Sequence, residues 1–200
     1  MNVKTNKKQT ILLAARLFFV FLIFSFAGWI WEIIHVSMLA GELVDRGFLF
    51  GPICPIYGLT MVIAYLMIGM PRKPMGILKA TKGKWYQYPL YGIAAIALPT
   101  LVELIVGCGC EWLFGIRLWD YSHYVISMDG QTVPLHFRGY IAMPISLIWL
   151  VLLFVVMGFF FPALLKLMEK IPPKATKITA IILGSIMAVD VIASCIAAVI

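Results

Sequence analysis

A chain of 200 residues is long enough for one soluble domain or for a small membrane protein. Hydrophobic residues make up 62% and charged residues 12%, with a mean hydropathy of +0.99, against roughly 45–50% apolar and about 25% charged in soluble domains. Too little polar surface remains to cover a fold in water, which excludes a soluble enzyme, a disordered chain and a nucleic-acid binder and leaves an integral membrane protein.

A helix needs about 20 mostly apolar residues to cross the hydrocarbon core. The first crossing is expected over about 11–39, long enough to tilt or to project beyond the bilayer. It follows the basic stretch MNVKTNKKQT, but its apolar run exceeds that of a signal peptide and no small-residue cleavage site follows, so it reads as a retained helix. Glu32 and His35 sit three apart on it and share a face toward its far end.

Residues 41–56, GELVDRGFLFGPICPI, are apolar yet crowded with Gly47, Gly51, Pro52 and Pro55. A spanning helix avoids such a cluster and a solvated loop is more polar. Two readings stay open for 46–58: a re-entrant or interfacial segment packed into the bundle, or an ordinary apolar loop at the interface. A short second crossing is expected over about 56–70 and a third over about 89–110. From Pro89 to Glu103 the rise is about 21 Å, which brings Glu103 to an outer-half depth like that of Glu32.

Residues 111–138 are the most polar connection, with Glu111, Arg117, Asp120, His123, Asp129, His136 and Arg138. Trp112, Trp119, Tyr121 and Tyr124 suit an interfacial aromatic belt, and the start of this stretch suggests a helix lying on the membrane surface. Asp129-Gly130 reads as an exposed turn. A fourth crossing is expected over about 139–165 and a fifth, carrying Asp190, over about 178–200. The fold class expected is therefore an all-α membrane protein of about five helices in one polytopic domain, 1–200.

Orientation follows from the short connections. Lys4, Lys7, Lys8 and Arg16 lie at the start of the chain; Arg72, Lys73, Lys79, Lys82 and Lys84 lie between the second and third crossings; Lys166, Lys170, Lys174 and Lys177 lie between the fourth and fifth. Of the 16 Lys and Arg residues, only Arg46, Arg117 and Arg138 fall elsewhere. The bias alternates across five crossings, predicting a cytoplasmic N-terminus and Ile200 outside, in the cytoplasmic membrane. The net charge of +7 is then a topology signal that favours membrane lipid and not nucleic acid as partner.

Ionisable residues within crossings each cost about 2.5–3.5 kcal/mol at a helix centre on insertion scales. For Glu32 and Glu103 three explanations stand: structural ion pairs with Arg46, Arg117 or Arg138, the lining of a substrate or ion path, or proton transfer by a carboxylate of raised pKa. The four cysteines, Cys54, Cys108, Cys110 and Cys195, lack metal-site spacing and read by default as buried thiols, so no metal or cofactor is expected.

GWIWE (28–32), DRGFLFGPICPIYG (45–58), VELIVG (102–107), EWLFGIRLWDYS (111–122) and FRGYI (137–141) follow in order. Together they resemble the bacterial membrane-protein family "Putative ABC-transporter type IV", whose pattern includes GW-x-x-E, NRGFL-x-GP-x-CPIYG, a Glu pair and WWDYS. The resemblance covers about residues 20–145. It maps onto Trp29, Glu32, Arg46, Gly47, Gly51, Pro52, Cys54, Pro55, Tyr57, Gly58, Glu103, Glu111, Trp119, Asp120, Tyr121 and Gly139. Asp45 stands where the family has Asn, and the passage from Ser122 to Gly139 is longer than usual, with His136 near an expected Asn.

The resemblance implies a permease-like transport component for a small substrate or ion. No GxxxxGK[ST] phosphate loop occurs, so an ATPase would be a separate subunit; the basic 71–88 connection reads first as a plain positive-inside loop and, for a permease, as the first place for that subunit to dock. Five helices are few for a complete path, which implies a homo-oligomer or partner subunit. The expected polar site is Glu32, His35, Arg46, Glu103, Glu111, Asp120 and Arg138, supported by the loop residues Gly47, Gly51, Pro52, Cys54, Pro55, Tyr57 and Gly58. The alternatives are an intramembrane enzyme acting on a lipid or envelope precursor, with the carboxylates and His35 as acid and base, and a non-catalytic scaffold or sensor.

Overall fold

A computed structural model describes residues 7–45, 47–128 and 131–199. Arg46, the Asp129-Gly130 turn, Lys4 and Ile200 lie outside the described residues. Most of the chain is helical, and four helices are long and apolar enough to cross a membrane: Lys7–Met38, Gln87–Phe114, Met143–Glu169 and Pro173–Ala198. The expected second crossing is a shorter apolar helix, Pro55–Ile68. Two compact units divide the chain, Met1–Val62 with Phe161–Ile200, and Ile63–Phe160.

In the first unit, α1 (Lys7–Ala40) packs against α5 (Phe161–Glu169) and α6 (Pro173–Val199). Phe24 stacks on Phe161 with ring centres 6.2 Å apart, and Val20 is fully buried. The helix α1 stops at Gly41, a left-handed residue whose N–H closes on the Ser37 carbonyl at 2.9 Å. The described residues of 41–54 carry no helix or strand, as the Gly and Pro content of this stretch requires. The helix α2 (Pro55–Ile68) starts on proline, whose missing N–H costs nothing at a first helical position. Its early turns lie flat on α1, because a side chain on Gly58 would collide with the Phe21 carbonyl and the Ser25 hydroxyl.

In the second unit, α3 (Gln87–Phe114) packs along α4 (Met143–Val155). Pro99 interrupts the α3 ladder without ending it; in that turn the Thr100 hydroxyl donates to the Ile96 carbonyl at 2.7 Å, and its oxygen lies 2.8 Å from Ser146 Oγ of α4. A one-turn π-helix, Val156–Phe160, follows α4. The basic connection is folded: β1 (Gly69–Met70) pairs antiparallel with β2 (Lys73–Pro74), and a 3-10 helix spans Gly76–Thr81.

Two expectations for 111–142 are corrected. Among the described residues between Phe114 and Met143 there is no helix: Glu111–Phe114 is the last turn of α3, capped by left-handed Gly115, and 116–124 is irregular. The fourth crossing also begins later than expected, because β5 (His136–Phe137) turns back onto β6 (Ile141–Ala142) and the helix starts at Met143. Before β5, β3 (Val125–Met128) pairs antiparallel with β4 (Gln131–Pro134). The alternation in VISM and QTVP flanking Asp-Gly is a hairpin signal.

Candidate functional site

The acidic residues form separate centres in the two units. In the first unit Glu32, on α1, accepts a hydrogen bond from the Tyr57 hydroxyl at 2.6 Å, and the Tyr57 ring lies where a Gly28 side chain would stand. His35 is exposed and stacks on Trp31. Asp190, on α6, holds the irregular segment: its carboxylate accepts the backbone N–H groups of Phe50 and Gly51, each at 3.0 Å, and the Ser194 hydroxyl at 3.3 Å. The Cys54 N–H donates to the Ser25 carbonyl at 2.9 Å, and Leu49 is buried beneath the segment. Gly47 and Pro52 are exposed, while Gly51, Cys54 and Pro55 are half-buried.

In the second unit the residues gather on one face of α3, where Glu103, Gly107 and Glu111 recur at four-residue spacing. Glu103 is only 4% exposed. Its Oε1 accepts the Trp149 indole N–H at 3.1 Å and the Tyr121 hydroxyl at 3.4 Å. Gly107 leaves room above the helix: a Cβ there would lie 3.1 Å from the Trp119 ring and 3.2 Å from the Tyr140 ring. Trp119 donates its indole N–H to the Tyr140 carbonyl at 2.8 Å, and the Tyr121 N–H reaches the Gly139 carbonyl at 2.9 Å. The irregular 116–124 segment is thereby fastened across the top of α3.

Glu111 accepts the Tyr140 hydroxyl at 3.0 Å and lies 4.0 Å from Arg117 Nε. Arg117 Nη2 is 3.6 Å from Asp120 Oδ1 and donates to the Arg138 carbonyl, while its guanidinium lies 5.1 Å from the Tyr140 ring centre. These ion pairs are partly exposed, so water screens them. The Ser122 N–H on Asp120 Oδ1, with Ser122 Oγ, Arg117 and His136, lowers the Asp120 pKa despite partial desolvation. The hydrogen bond from Tyr140 to Glu111 is the main cause raising the Tyr140 pKa.

Backbone conformation completes the corner. Gly139 has φ +76°, with Asp120 and Arg117 in the space a side chain would need. Its N–H donates to His136 Nδ1 at 3.0 Å, which assigns the proton of a neutral His136 to Nε2. Arg138 has φ +52° and is exposed; it joins the network through its carbonyl.

The structure thus brings together Glu103, Glu111 and Asp120, with Arg117 as the guanidinium at Glu111 and Asp120. Glu32 and His35 belong to the other unit. Sequence reading missed Tyr140 and Trp149 and took Trp119 and Tyr121 as interfacial anchors and as positions of the family pattern. Their shared signal is an aromatic ring with a polar tip in a mostly apolar chain, which seeks a partner when buried. All four cysteines are of intermediate burial. Among the described residues no group of three or more His, Cys, Asp and Glu is placed to hold a metal ion.

The long helices expose apolar side chains such as Leu101, Ile105, Val151, Ile182 and Ile186, a surface suited to lipid and not to water. The fold is that of a multi-pass membrane protein. Residues 19–195 match the model of the family described as "Putative ABC-transporter type IV", and the chain belongs to that family. No curated protein and no solved structure was found to match it.

Proposed function

We propose that the chain is a permease-like transport component of a cytoplasmic membrane, moving an unidentified small substrate or ion. The observation that carries this reading is Glu103: a carboxylate 4% exposed on a spanning helix, held by an indole and a phenol. Ionisable groups within spans are rare and concentrate on substrate and ion pathways. The same α3 face continues through Gly107 to Glu111, Arg117 and Asp120, so the acidic stripe runs from an apolar depth to an exposed corner. Glu103 is the inner binding group of this path; Glu111, Arg117 and Asp120 form its mouth.

The N-terminus is cytoplasmic, α2 is a fifth crossing, and 47–54 folds into the outer half of the first unit. The hydrogen bonds of that segment to Asp190 and its burial of Leu49 support this placement. The chain supplies no phosphate loop, so ATP hydrolysis falls to a separate subunit, and the chain works with that subunit or with a second copy. The test is uptake by proteoliposomes of a labelled panel of amino acids, polyamines and inorganic ions, with and without an added ATPase subunit. One class of solute is expected to accumulate above protein-free vesicles; a flat response across the panel under both conditions contradicts the proposal.

A further inference from the structure

Between Asp45 and Glu103 the sequence has no acidic residue, yet it holds Arg72, Lys73, Lys79, Lys82 and Lys84. All five are exposed. They stand on a folded base and not on a slack loop. Gln87 ties it from within, donating to the Pro71 carbonyl at 2.6 Å and accepting the Gly83 N–H at 2.7 Å. The Tyr91 hydroxyl, fully buried, donates to the Gly69 carbonyl at 3.1 Å. Leu78 and Thr81 turn the 3-10 helix inward while Ile77, Lys79 and Ala80 face out.

The same surface exposes large apolar groups: Trp85 at 87%, Ile77 at 64% and Met75 at 41%. Trp85 stands two residues before Gln87, where the spanning helix α3 begins, which puts it at the depth where tryptophan anchors a protein to the bilayer interface. Arg72 extends its guanidinium to 5.8 Å from the ring centre of Phe159, an exposed residue of the π turn, so its charge also sits over an apolar flank.

We propose that this platform, Arg72 to Trp85, is a preformed seat for anionic phospholipid headgroups, its lysines on the phosphates and Trp85 and Ile77 in the boundary of the bilayer. A purely cationic surface complements an anionic one, and the interleaved apolar groups distinguish a lipid boundary from a wholly aqueous partner. Basic groups beside spanning helices bind anionic headgroups in this way.

The test uses the whole chain in lipid nanodiscs, where both faces are open to reagent. Lysine acetylation is followed residue by residue by mass spectrometry in discs of phosphatidylcholine alone and in discs containing phosphatidylglycerol. Lys79, Lys82 and Lys84 are expected to label about fivefold more slowly in the anionic discs, the ratio that corresponds to about 1 kcal/mol per basic residue at the surface. Lys166, Lys174 and Lys177, whose connection is not such a platform, should change less than half as much. Equal labelling of the platform lysines in the two discs overturns the proposal, as does uniform slowing of every lysine, which marks a general surface potential. Protection that arises only on adding a soluble ATPase subunit overturns it in favour of a protein partner. No substitution is needed, so folding and insertion do not enter.

Discussion

Trp149 and Asp120 show how differently two polar contacts at one site contribute. Trp149 is 4% exposed, and its indole N–H is a donor to a carboxylate that water reaches poorly. Trp149→Phe keeps most of the ring and removes that donor, which is expected to destabilise the protein by about 1–3 kcal/mol. A lowered thermal midpoint in detergent is the readout, and an unchanged midpoint removes the indole from the account. Asp120 is exposed, so its contribution appears as a pH dependence. Its pKa is depressed in the fold, chiefly by the Ser122 N–H. The stabilisation is therefore present above the ordinary carboxylate pKa of about 4 and is lost as pH falls through the lowered value. The midpoint difference between wild type and Asp120→Asn should be full at pH 7 and close in stronger acid; a difference independent of pH contradicts this. Glu103, Glu111 and Asp120 were legible as candidates because charge is scarce in this chain. Tyr140 and Trp149 were not, since a hydrogen bond between distant elements leaves no periodic trace.

At the scale of elements, the contact of α2 with α1 depends on the absence of a side chain at Gly58. Gly58→Leu would push α2 off the Phe21 carbonyl and Ser25, with a cost of about 1–3 kcal/mol from overpacking. The expected result is a lower midpoint together with faster proteolysis in 41–54, and an undisturbed variant contradicts the flat packing of these helices. Helix existence was readable from apolar length alone, and the irregular backbone of the described residues in 41–54 from the glycines and prolines of that stretch. The surface helix expected after residue 111 failed for a specific reason. The apolar-aromatic run EWLF continues α3, and Gly115 ends it in a left-handed cap, so the same residues that suggested a new helix are the end of the old one. The hairpin of β3 and β4 was announced by Asp-Gly between alternating residues, a signal read only as a turn.

The whole molecule is constrained by charge and length together. The three basic clusters share one side only if α2 crosses, yet its 14 residues rise about 21 Å against a hydrocarbon core of about 30 Å. On the proposed topology, the segment 47–54 before it and the β1–β2 hairpin after it make up the remaining depth. In a cysteine-depleted chain, an impermeant maleimide should reach Leu43→Cys from outside and Lys79→Cys from the cytoplasm. Both reacting from one side would take α2 out of the crossings and reverse the order of every later loop. Family membership was readable in the Gly/Pro-rich run and the aspartate-aromatic motif, because those residues make backbone turns and close approaches that few alternatives can supply. Substrate identity was not, since an acidic stripe offers charge and geometry that many solutes share. The most direct measurement is the uptake of an accumulated solute by proteoliposomes carrying equal amounts of folded wild type or Glu103→Gln, which keeps the acceptor for Trp149 and removes the charge. Accumulation by wild type with background uptake by the variant is the predicted result; equal accumulation by both would contradict a transport role for the buried carboxylate.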